Sequence, residues 1–324
     1  MELPSTERAN TVLGLARAAF ASTGGLDELQ ERLVEDLGYL IRGSDFDGVP
    51  GLSNDEVAAT SAEDRTEAMH LAVVLEMMEH PLRPEVAESV SAFFAELGVV
   101  DRLLDDARLL ADRHFSALAA DLSRHSWYHE ATVEGRRNGK LVELMGSRLA
   151  ELGVLPDPLV SRRWRALEQC PPGSWGRGVY DFYISHGFPF PGERHGIYEL
   201  GARHDWVHVL TDYGSDAEGE LDVFAFIAAT MPGESGLALL AVTLGIFQND
   251  ALRRVRGKTI KNARVDTLSA DGAVDRWAVA FWRGTQCNTD IMGDVDLFAM
   301  KDVPIEEARR EFNIIAPEDL PTLA

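Results

Sequence analysis

The sequence predicts an all-α protein, and three observations support this fold class. Apolar residues recur at three- and four-residue intervals through most of the 324 residues, the spacing that places them on one face of a helix. Capping residues and Pro or Gly breaks stand at the ends of these runs. Runs that alternate apolar and polar residues, as strands do, are scarce. We expect one helical domain preceded by a separate helical bundle.

The first predicted domain is an auxiliary helical bundle over residues 1–130. Its first helical region covers 9–45, and an acidic segment with Gly and Pro, 43–64, is expected to be a loop. Further helices are expected at 65–78, 84–97, 101–114 and from 115 to 127 or beyond, with one long helix over the last two as the alternative. The segment 71–99 is weakly similar to TerB-like helical domains, a similarity that implies no function here.

A linker helix over 131–154 leads to the second predicted domain, 155–324, where the composition changes towards Trp, Tyr, Phe, Gly and Pro. Ser174 is expected to cap a helix that runs to about His186. Two strongly apolar helices, 220–231 and 234–248, are expected to form the core beneath the face of the preceding helix that carries His204 and His208. Shorter helices are expected at 277–284 and 304–312.

The stretch from residue 203 to 220 contains four potential metal ligands. On a helix, His204 and His208 differ by only about 40° around the axis, and Asp205 lies about 60° further round. The helix is expected to end at Gly214, and Glu220 returns towards His208 if the next helix is antiparallel. Two imidazoles and two carboxylates suit a divalent metal with an open coordination position. The alternative is that these histidines are hydrogen-bonded core residues.

Two comparisons limit this interpretation. The spacing is similar to the zincin HExxH arrangement, but the acid beside the first His is Asp, so peptidase chemistry is not expected. His125 and His129 repeat the four-residue spacing, yet no distant acid is placed for them as Glu220 is. Polar helix ends often carry His, and we expect no second metal site there.

Composition excludes several functional classes. The formal net charge of −22 argues against binding to nucleic acid or anionic lipid, although 253–264 is a local basic cluster that could be a solvated face or an acid-binding patch. The two cysteines, Cys170 and Cys287, fit a reducing compartment. Because neither a secretory signal nor an apolar run long enough to cross a bilayer is visible, we expect a cytoplasmic protein without a transmembrane segment. Nucleotide-binding and serine-hydrolase motifs are absent from the sequence.

Three separated segments resemble the Coq-four family of coenzyme Q (ubiquinone) biosynthesis proteins. The family's HDxxH motif, followed eleven residues later by Glu, is matched by His204, Asp205, His208 and Glu220. Its Gly-Ser-x-Gly-Arg and Pro-hydrophobic-x-Glu-x-Arg segments are matched within 173–177 and 304–309. The resemblance covers roughly residues 155 to 318.

The resemblance implies an all-helical fold, a divalent metal on those four residues and an apolar groove for a prenylated ring. Family members are associated with replacing the ring carboxyl group of a quinone precursor by hydroxyl, and with membrane-peripheral enzyme complexes. Zinc, iron and manganese all suit the ligand set. An acidic turn, TDYGSDAEGE, and the segment GTQCNTDI depart from the family pattern. A soluble aromatic or polyketide-like carboxylic acid is therefore an alternative to a prenylated quinone precursor.

We assign expected roles on this basis. Asp205 is a fourth ligand or a general base. Arg177 or Arg203 anchors a substrate carboxylate, unless it forms a structural ion pair, and His195 and His186 orient substrate. A homodimer or a complex of biosynthetic enzymes is expected, with peripheral membrane contact as a further option. The rival hypothesis is a non-catalytic lipid-binding or scaffold protein with a structural metal.

Overall fold

Helices carry the architecture of this chain. The computed structural model describes residues 3–138, 141–251, 254–255, 258–259 and 265–323. These residues confirm the predicted all-α class, with two paired strands of two residues each, Arg254–Val255 and Lys258–Thr259. The helices are α1 (Ala9–Ala18), α2 (Glu28–Arg42), α3 (Asn54–Ala59), α4 (Ala62–Met78), α5 (Pro84–Glu96), α6 (Arg102–Ala111), α7 (Phe115–His125), α8 (Trp127–Arg137), α9 (Leu141–Glu151), α10 (Pro158–Arg165), α11 (Trp175–His186), α12 (Arg203–Thr211), α13 (Ala217–Thr230), α14 (Glu234–Phe247), α15 (Ala273–Thr285) and α16 (Ile305–Glu311).

Side-chain caps determine where several helices begin. Asp27, Ser53 and Ser61 each accept a hydrogen bond from the backbone N–H three residues later, and the side chain at that later residue accepts one in return. The box at Ser53 begins α3 inside 43–64, so the prediction of an uninterrupted loop was wrong. A six-residue helix is too short for apolar periodicity to show, and the capping box is the local signal that identifies it.

Contacts divide the chain into two units, and unit 1 contains Met1–His125, Ser215–Thr285 and Pro321–Ala324. Helix α13 packs on α14 and α15, α15 packs on α2, and α14 packs on α4 and α7. An ion pair between Arg32 and Asp275, with an N–O distance of 2.8 Å, joins α2 to α15. The apolar helix α14 is thus covered by helices from the N-terminal part of the chain, and α13 is covered by α14 and α15.

The close approach of α13 and α15 depends on Gly284. A Cβ atom at this position would lie 2.4 Å from the carbonyl oxygen of Phe226, so only glycine fits without a shift of the backbone. Trp277 and Phe281, one turn apart on α15, stack with their ring centroids 5.8 Å apart. The approach of Gly284 to Phe226 thus makes α13 and α15 a tightly packed pair.

Two amide side chains join the ends of α4 and α14. Gln248 Nε2 donates to the carbonyl of Met78 at 2.8 Å, and Asn249 Nδ2 donates to the carbonyl of Met77 at 2.7 Å. Gln248 is fully buried. These hydrogen bonds satisfy carbonyls in the last turn of α4, which that helix leaves without an internal donor.

The predicted domains, 1–130, 131–154 and 155–324, differ from the units that contacts define. Helices α13, α14 and α15 come from the predicted second domain but pack with the N-terminal helices in unit 1, so the bundle is not separate from them. The physical reason is that a helix with apolar residues on nearly every side is stable only when other helices pack against all of its sides. Residues 139 and 140 of the predicted linker helix lie outside the described residues.

Unit 2 contains Ser126–Gly214 and Gln286–Leu320. Its core includes Trp164, Trp175 and Trp206, all almost completely buried. The ring of Trp206 lies edge-on to the other two, with centroid distances of 6.0 and 5.5 Å. Because Trp206 belongs to α12, this aromatic cluster fixes α12 in the unit.

The basic cluster at 253–264 lies largely outside the described residues. Only the backbone of the two short strands, 254–255 and 258–259, is described there. The two predictions for this cluster, a solvated face or an acid-binding patch, stay predictions.

Candidate metal centre

The candidate centre is carried by α12, a nine-residue helix in unit 2. The helix ends at Asp212, whose φ of 64° is in the left-handed region. The predicted end at Gly214 was therefore two residues late. Asp can take the left-handed conformation because its short polar side chain bonds locally, so glycine is not the only residue that ends a helix this way.

Two side chains from other elements hold α12 by its backbone. Trp175 Nε1 donates to the carbonyl of Trp206 at 2.8 Å, and Arg309 Nε donates to the carbonyl of Leu210 at 2.8 Å. Arg309 is buried, and its charge lies near the C-terminal end of the helix, where the helix dipole favours a cation. The position of α12 is thus fixed through main-chain atoms.

The segments 173–177 and 304–309 meet at this place in unit 2. The backbone N–H of Gly176 donates to the carbonyl of Lys301 at 2.8 Å, and Ser174 and Pro304 form an isolated antiparallel bridge. A Cβ atom at Gly176 would lie 2.7 Å from the Lys301 oxygen, so the close approach requires glycine. These two segments support the helix that carries the candidate ligands.

His204, Asp205 and His208 form a group that could hold a metal ion. Each offers one ligand atom, and these atoms all lie within 4.8 Å of one another. The three residues are 8 %, 6 % and 2 % exposed. The expectation that they share one face of a helix is met. Among the described residues, this is the cluster of His, Cys, Asp and Glu with metal-ligand spacing.

Backbone carbonyls orient both imidazole rings. His204 Nδ1 lies 2.6 Å from the carbonyl of Gly201, and His208 Nδ1 lies 3.1 Å from the carbonyl of Tyr213. A carbonyl only accepts hydrogen bonds, so the proton of each neutral ring is on Nδ1. Nε2 is then the nitrogen that presents a lone pair, which is the arrangement found in histidine metal ligands.

Tyr183, on α11, orients the carboxylate. Its buried hydroxyl donates a short hydrogen bond to Asp205 Oδ2. Burial, together with the charge and hydrogen bond of Asp205, raises the pKa of Tyr183 well above its usual value, so the phenol keeps its proton. Since Oδ2 is engaged in this way, Oδ1 is the carboxylate oxygen that faces the histidines.

A cation between these groups would resolve an electrostatic conflict. His204 Nε2 lies 3.3 Å from Asp205 Oδ1. A lone pair on that nitrogen and a carboxylate oxygen repel each other unless a positive charge lies between them. A proton would make a buried imidazolium–carboxylate pair, and a metal ion would use His208 Nε2 as well. The third potential ligand atom is what would distinguish a metal centre from an ordinary ion pair.

An aromatic cluster borders the group. The ring of Phe182 stacks on His208 with a centroid distance of 5.5 Å and an interplanar angle of 17°. His186 packs on the same Phe182 ring at 4.5 Å, and its Nδ1 is 2.8 Å from the Phe182 carbonyl. His186 is exposed. It lies on the same side of α11 as Phe182, and its predicted role in orienting substrate stays a prediction.

The predicted substrate-binding residues have other contacts. Arg177 pairs with Asp181 at 3.0 Å, one turn later on the same helix. Arg203 donates to the carbonyl of Val295 at 2.8 Å. His195 is exposed and has a φ of 67°. Their roles towards a substrate stay predictions.

Glu220, the predicted fourth ligand, lies in the first turn of α13, in unit 1, and is half-buried. Its role as a ligand stays a prediction. Tyr183 is the contact of the candidate group that the sequence patterns did not predict. It lies in the predicted helix that Ser174 caps, but spacing along one helix does not show which residue of another helix will meet Asp205.

A cavity of about 570 Å³ opens on the other face of α12. Arg203 and Trp206 line it, and they lie roughly 180° around the helix from the mean direction of the three candidate ligands. The lining continues with Trp164, Tyr198 and Phe298. The described lining residues do not include the metal group, so cavity and group use opposite sides of one helix.

Comparison with known proteins leaves the family open. No family model matches the chain, and no curated protein matches it either. The resemblance to the Coq-four family therefore stays a prediction. Among the described residues, no helix combines the length and the apolar character needed to cross a membrane.

Proposed function

We propose that this chain is a metal-dependent protein that acts on an aromatic or quinone-type precursor, in the oxidative decarboxylation that the Coq-four resemblance implies. The observation that carries the proposal is the buried group of His204, Asp205 and His208, with ring nitrogens and carboxylate oriented by hydrogen bonds. Such orientation of ligands by neighbouring groups is characteristic of metal sites.

The chain's own residues would contribute in defined ways. His204 and His208 would bind through Nε2, since Nδ1 of each is bonded to a carbonyl. Asp205 would bind through Oδ1 or take a proton there, while Tyr183 holds Oδ2. When bound, a divalent metal supplies Lewis-acid chemistry, and iron or manganese also supplies redox chemistry. Burial of the group keeps bulk water away from it.

A second candidate function is a non-catalytic lipid-binding or scaffold protein with a structural metal. Two observations favour it: the three ligands are at most 8 % exposed, and the lining of the described cavity does not include them. Structural metal sites are closed, whereas catalytic sites keep an open position for substrate. Exchange of a bound water or substrate oxygen at the metal distinguishes the two functions.

The first test is elemental analysis of untagged protein, with the wild type beside Glu220→Ala. We expect about one equivalent of a divalent metal in the wild type, and its loss in the variant if Glu220 is the fourth ligand. Glu218→Ala, in the same turn of α13, is the matched control and should keep its metal. Protein free of zinc, iron and manganese under all purification conditions would contradict the proposed function.

The metal that is found decides the next assay. Iron or manganese calls for oxygen-consumption measurements with aromatic carboxylic acids and an added two-electron reductant such as ascorbate. One carbon dioxide and one ring hydroxyl should then form for each O2 consumed, with the second oxygen atom reduced to water. Tightly bound zinc that resists chelation, without any oxygen-dependent turnover, would favour the scaffold function.

A further inference from the structure

A carboxyl group in the core of unit 1 has no hydrogen-bond donor. Glu76 lies in the last turn of α4 and is completely buried. Neither of its carboxylate oxygens has a hydrogen-bond partner among the described residues. Helix α4 packs against α1, α2, α5, α6 and α14. In such a place an ionised carboxylate without donors is far more costly than the neutral acid.

The side-chain donors around this turn bind main-chain atoms. Gln30 Nε2, from α2, donates to the carbonyl of Leu75 at 2.8 Å. The carbonyls of the last two residues of α4 accept the side-chain amides of Gln248 and Asn249. These amides leave Glu76 without a donor. The last turn is also where the helix dipole disfavours a negative charge, so both effects act against ionisation.

The charged groups that act on Glu76 do not compensate for its burial. Burial raises the pKa of Glu76 well above its usual value, Arg108 on α6 opposes this shift, and Glu79 adds to it. Arg108 lies 3.6 Å from Asp105, and its side chain is 45 % exposed. Because this cation stays in water, it acts on Glu76 only from a distance. The carboxyl group therefore keeps its proton while the helices are packed.

Charged side chains on the other helices around α4 have partners elsewhere. Arg8, the N-cap of α1, pairs with acidic residues in the first turns of α4, at the opposite end from Glu76. Arg17 on α1 pairs with acidic residues of α2. The buried Asp36 of α2 interacts with Asp275 of α15. The acidic residues of α5 are all exposed, namely Glu85, Glu88 and Glu96.

We propose that Glu76 is a proton-controlled lock on unit 1: with its proton bound it lets α4 pack against α6, and on losing the proton it forces this contact open. An ionised Glu76 needs a donor. Arg108 or incoming water supplies one only when α6 separates from α4. Since both helices belong to unit 1, the lock does not depend on the proposed metal chemistry of unit 2.

The direction of the pH effect follows from proton binding. An acid whose pKa is raised by burial binds its proton more tightly in the packed form than in the opened form. The packed form is fully favoured below about pH 4, the usual range of a glutamate pKa, and that preference is lost as the pH rises through the pKa of the packed form. Each pH unit within this interval changes the equilibrium by up to about tenfold.

Hydrogen exchange measured by mass spectrometry, from about pH 5 to about pH 9 and corrected for intrinsic amide rates, tests the lock. Protection of peptides from α4 and α6 should fall as the pH rises. Glu76→Gln should reduce this fall by up to about tenfold per pH unit, the contribution of one proton. Glu88→Gln, which changes an exposed acid on α5, is the matched control and should keep the wild-type dependence.

The comparison isolates Glu76 because the other buried acids of unit 1 with a raised pKa are present in all three proteins, namely Asp36, Asp106 and Asp222. The same pH dependence in the wild type and in Glu76→Gln would overturn the proposal. A difference spread evenly over all helices of unit 1 would also overturn it, since it would report global unfolding and not the contact between α4 and α6.

A second variant covers the case in which the buried amide of Glu76→Gln prevents folding. Glu76→Met has a similar length and needs no hydrogen bond, and it should show the same reduced pH dependence. The wild type alone provides a further check. Protection of α4 and α6 that does not fall between about pH 5 and about pH 9 would contradict the lock.

Discussion

Two histidine pairs in this chain share the same four-residue spacing but have different surroundings. His204 and His208 lie on one continuous helix, α12, and both are buried. His125 is the last residue of α7 and His129 belongs to α8, with a bend at Ser126 between the two helices. His129 is exposed. Equal spacing therefore puts two rings on one face only where the helix is unbroken.

The carboxylates beside the two pairs differ as well. His204 and His208 each direct Nδ1 to a carbonyl, and both belong to one cluster with Asp205. His125 Nδ1 also lies near a carbonyl, that of Asp121 at 3.0 Å, and the half-exposed Asp121 carboxylate is 3.2 Å away. Burial and a carboxylate shared by both rings, more than spacing, separate a candidate ligand pair from a surface pair.

The largest expected effect on metal content comes from removing His208, with the removal of His129 from the other pair as the control. His208→Ala should lose bound metal almost completely, because it deletes one of the three clustered ligands, while helical content by circular dichroism stays close to wild type. His129→Ala is the matched variant and should keep its metal. Elemental analysis of both proteins checks the prediction, and unchanged metal in His208→Ala would mean that the group is not the metal site.

The next effect concerns the hydrogen bond from Tyr183 that orients the Asp205 carboxylate. Tyr183→Phe removes the hydroxyl that bonds to Asp205 and should weaken metal binding by about 10- to 100-fold, as for other residues that orient ligands. Competition with a chromophoric chelator measures the change. Tyr180→Phe, on the same helix, should leave the affinity unchanged. A wild-type affinity in Tyr183→Phe would show that Asp205 needs no support from α11.

The contribution of the hydrogen bond at the C-terminal end of α12 to stability can be tested by substituting Arg309. Arg309→Gln removes a charged donor from the carbonyl of Leu210 and should lower the free energy of unfolding by about 1.5–3 kcal/mol. Denaturant unfolding measures this difference. Arg310→Gln changes an exposed neighbour and should have little effect. Equal stabilities of the two variants would mean that the end of α12 does not depend on this bond.

A smaller effect, on the pH dependence of stability, is expected from Asp106, which lies near Asp121 and His125. Burial and the neighbouring carboxylate of Asp121 raise the pKa of Asp106 to about 7. An acid with a raised pKa in the folded state binds its proton more tightly there than in the unfolded chain. Its stabilising contribution is present below about pH 4 and is lost as the pH rises towards 7.

Asp106→Asn should therefore flatten the decline of Tm between about pH 4 and 7 and raise Tm above pH 7 by a few degrees. Thermal unfolding monitored by circular dichroism at several pH values measures this slope. Asp112→Asn, at the exposed end of the same helix, should keep the wild-type slope. A wild-type slope in Asp106→Asn would exclude this carboxyl as its source.

Sequence patterns predicted the local features well. The segment 175–186 was predicted with the bounds that α11 has, and Ser174 caps it as expected. The shared face of His204, Asp205 and His208 also followed from helical geometry. These features depend on residues within one or two turns of each other, which is the range over which periodicity and capping residues act.

The features that depend on distant parts of the chain were missed. The contact of Tyr183 with Asp205 joins two helices, and the packing of α14 on α4 and α7 joins segments far apart in the sequence. Periodicity shows that α14 needs apolar cover but does not identify the helix that supplies it. The cavity beside Arg203 likewise depends on the loop 293–298, which has no helical pattern.

The atoms that anchor the two imidazoles have a consequence for evolution. The acceptors belong to the main chain at Gly201 and Tyr213, so replacement of the Tyr213 side chain leaves its carbonyl in place, whereas a Cβ atom at Gly201 would lie 2.6 Å from the Tyr198 ring. The carboxylate of Asp205 depends instead on one side-chain hydroxyl, at Tyr183. Genetic drift at position 213 would thus preserve the orientation of His208, whereas positions 201 and 183 are places where a single substitution would disturb the support of His204 or of Asp205.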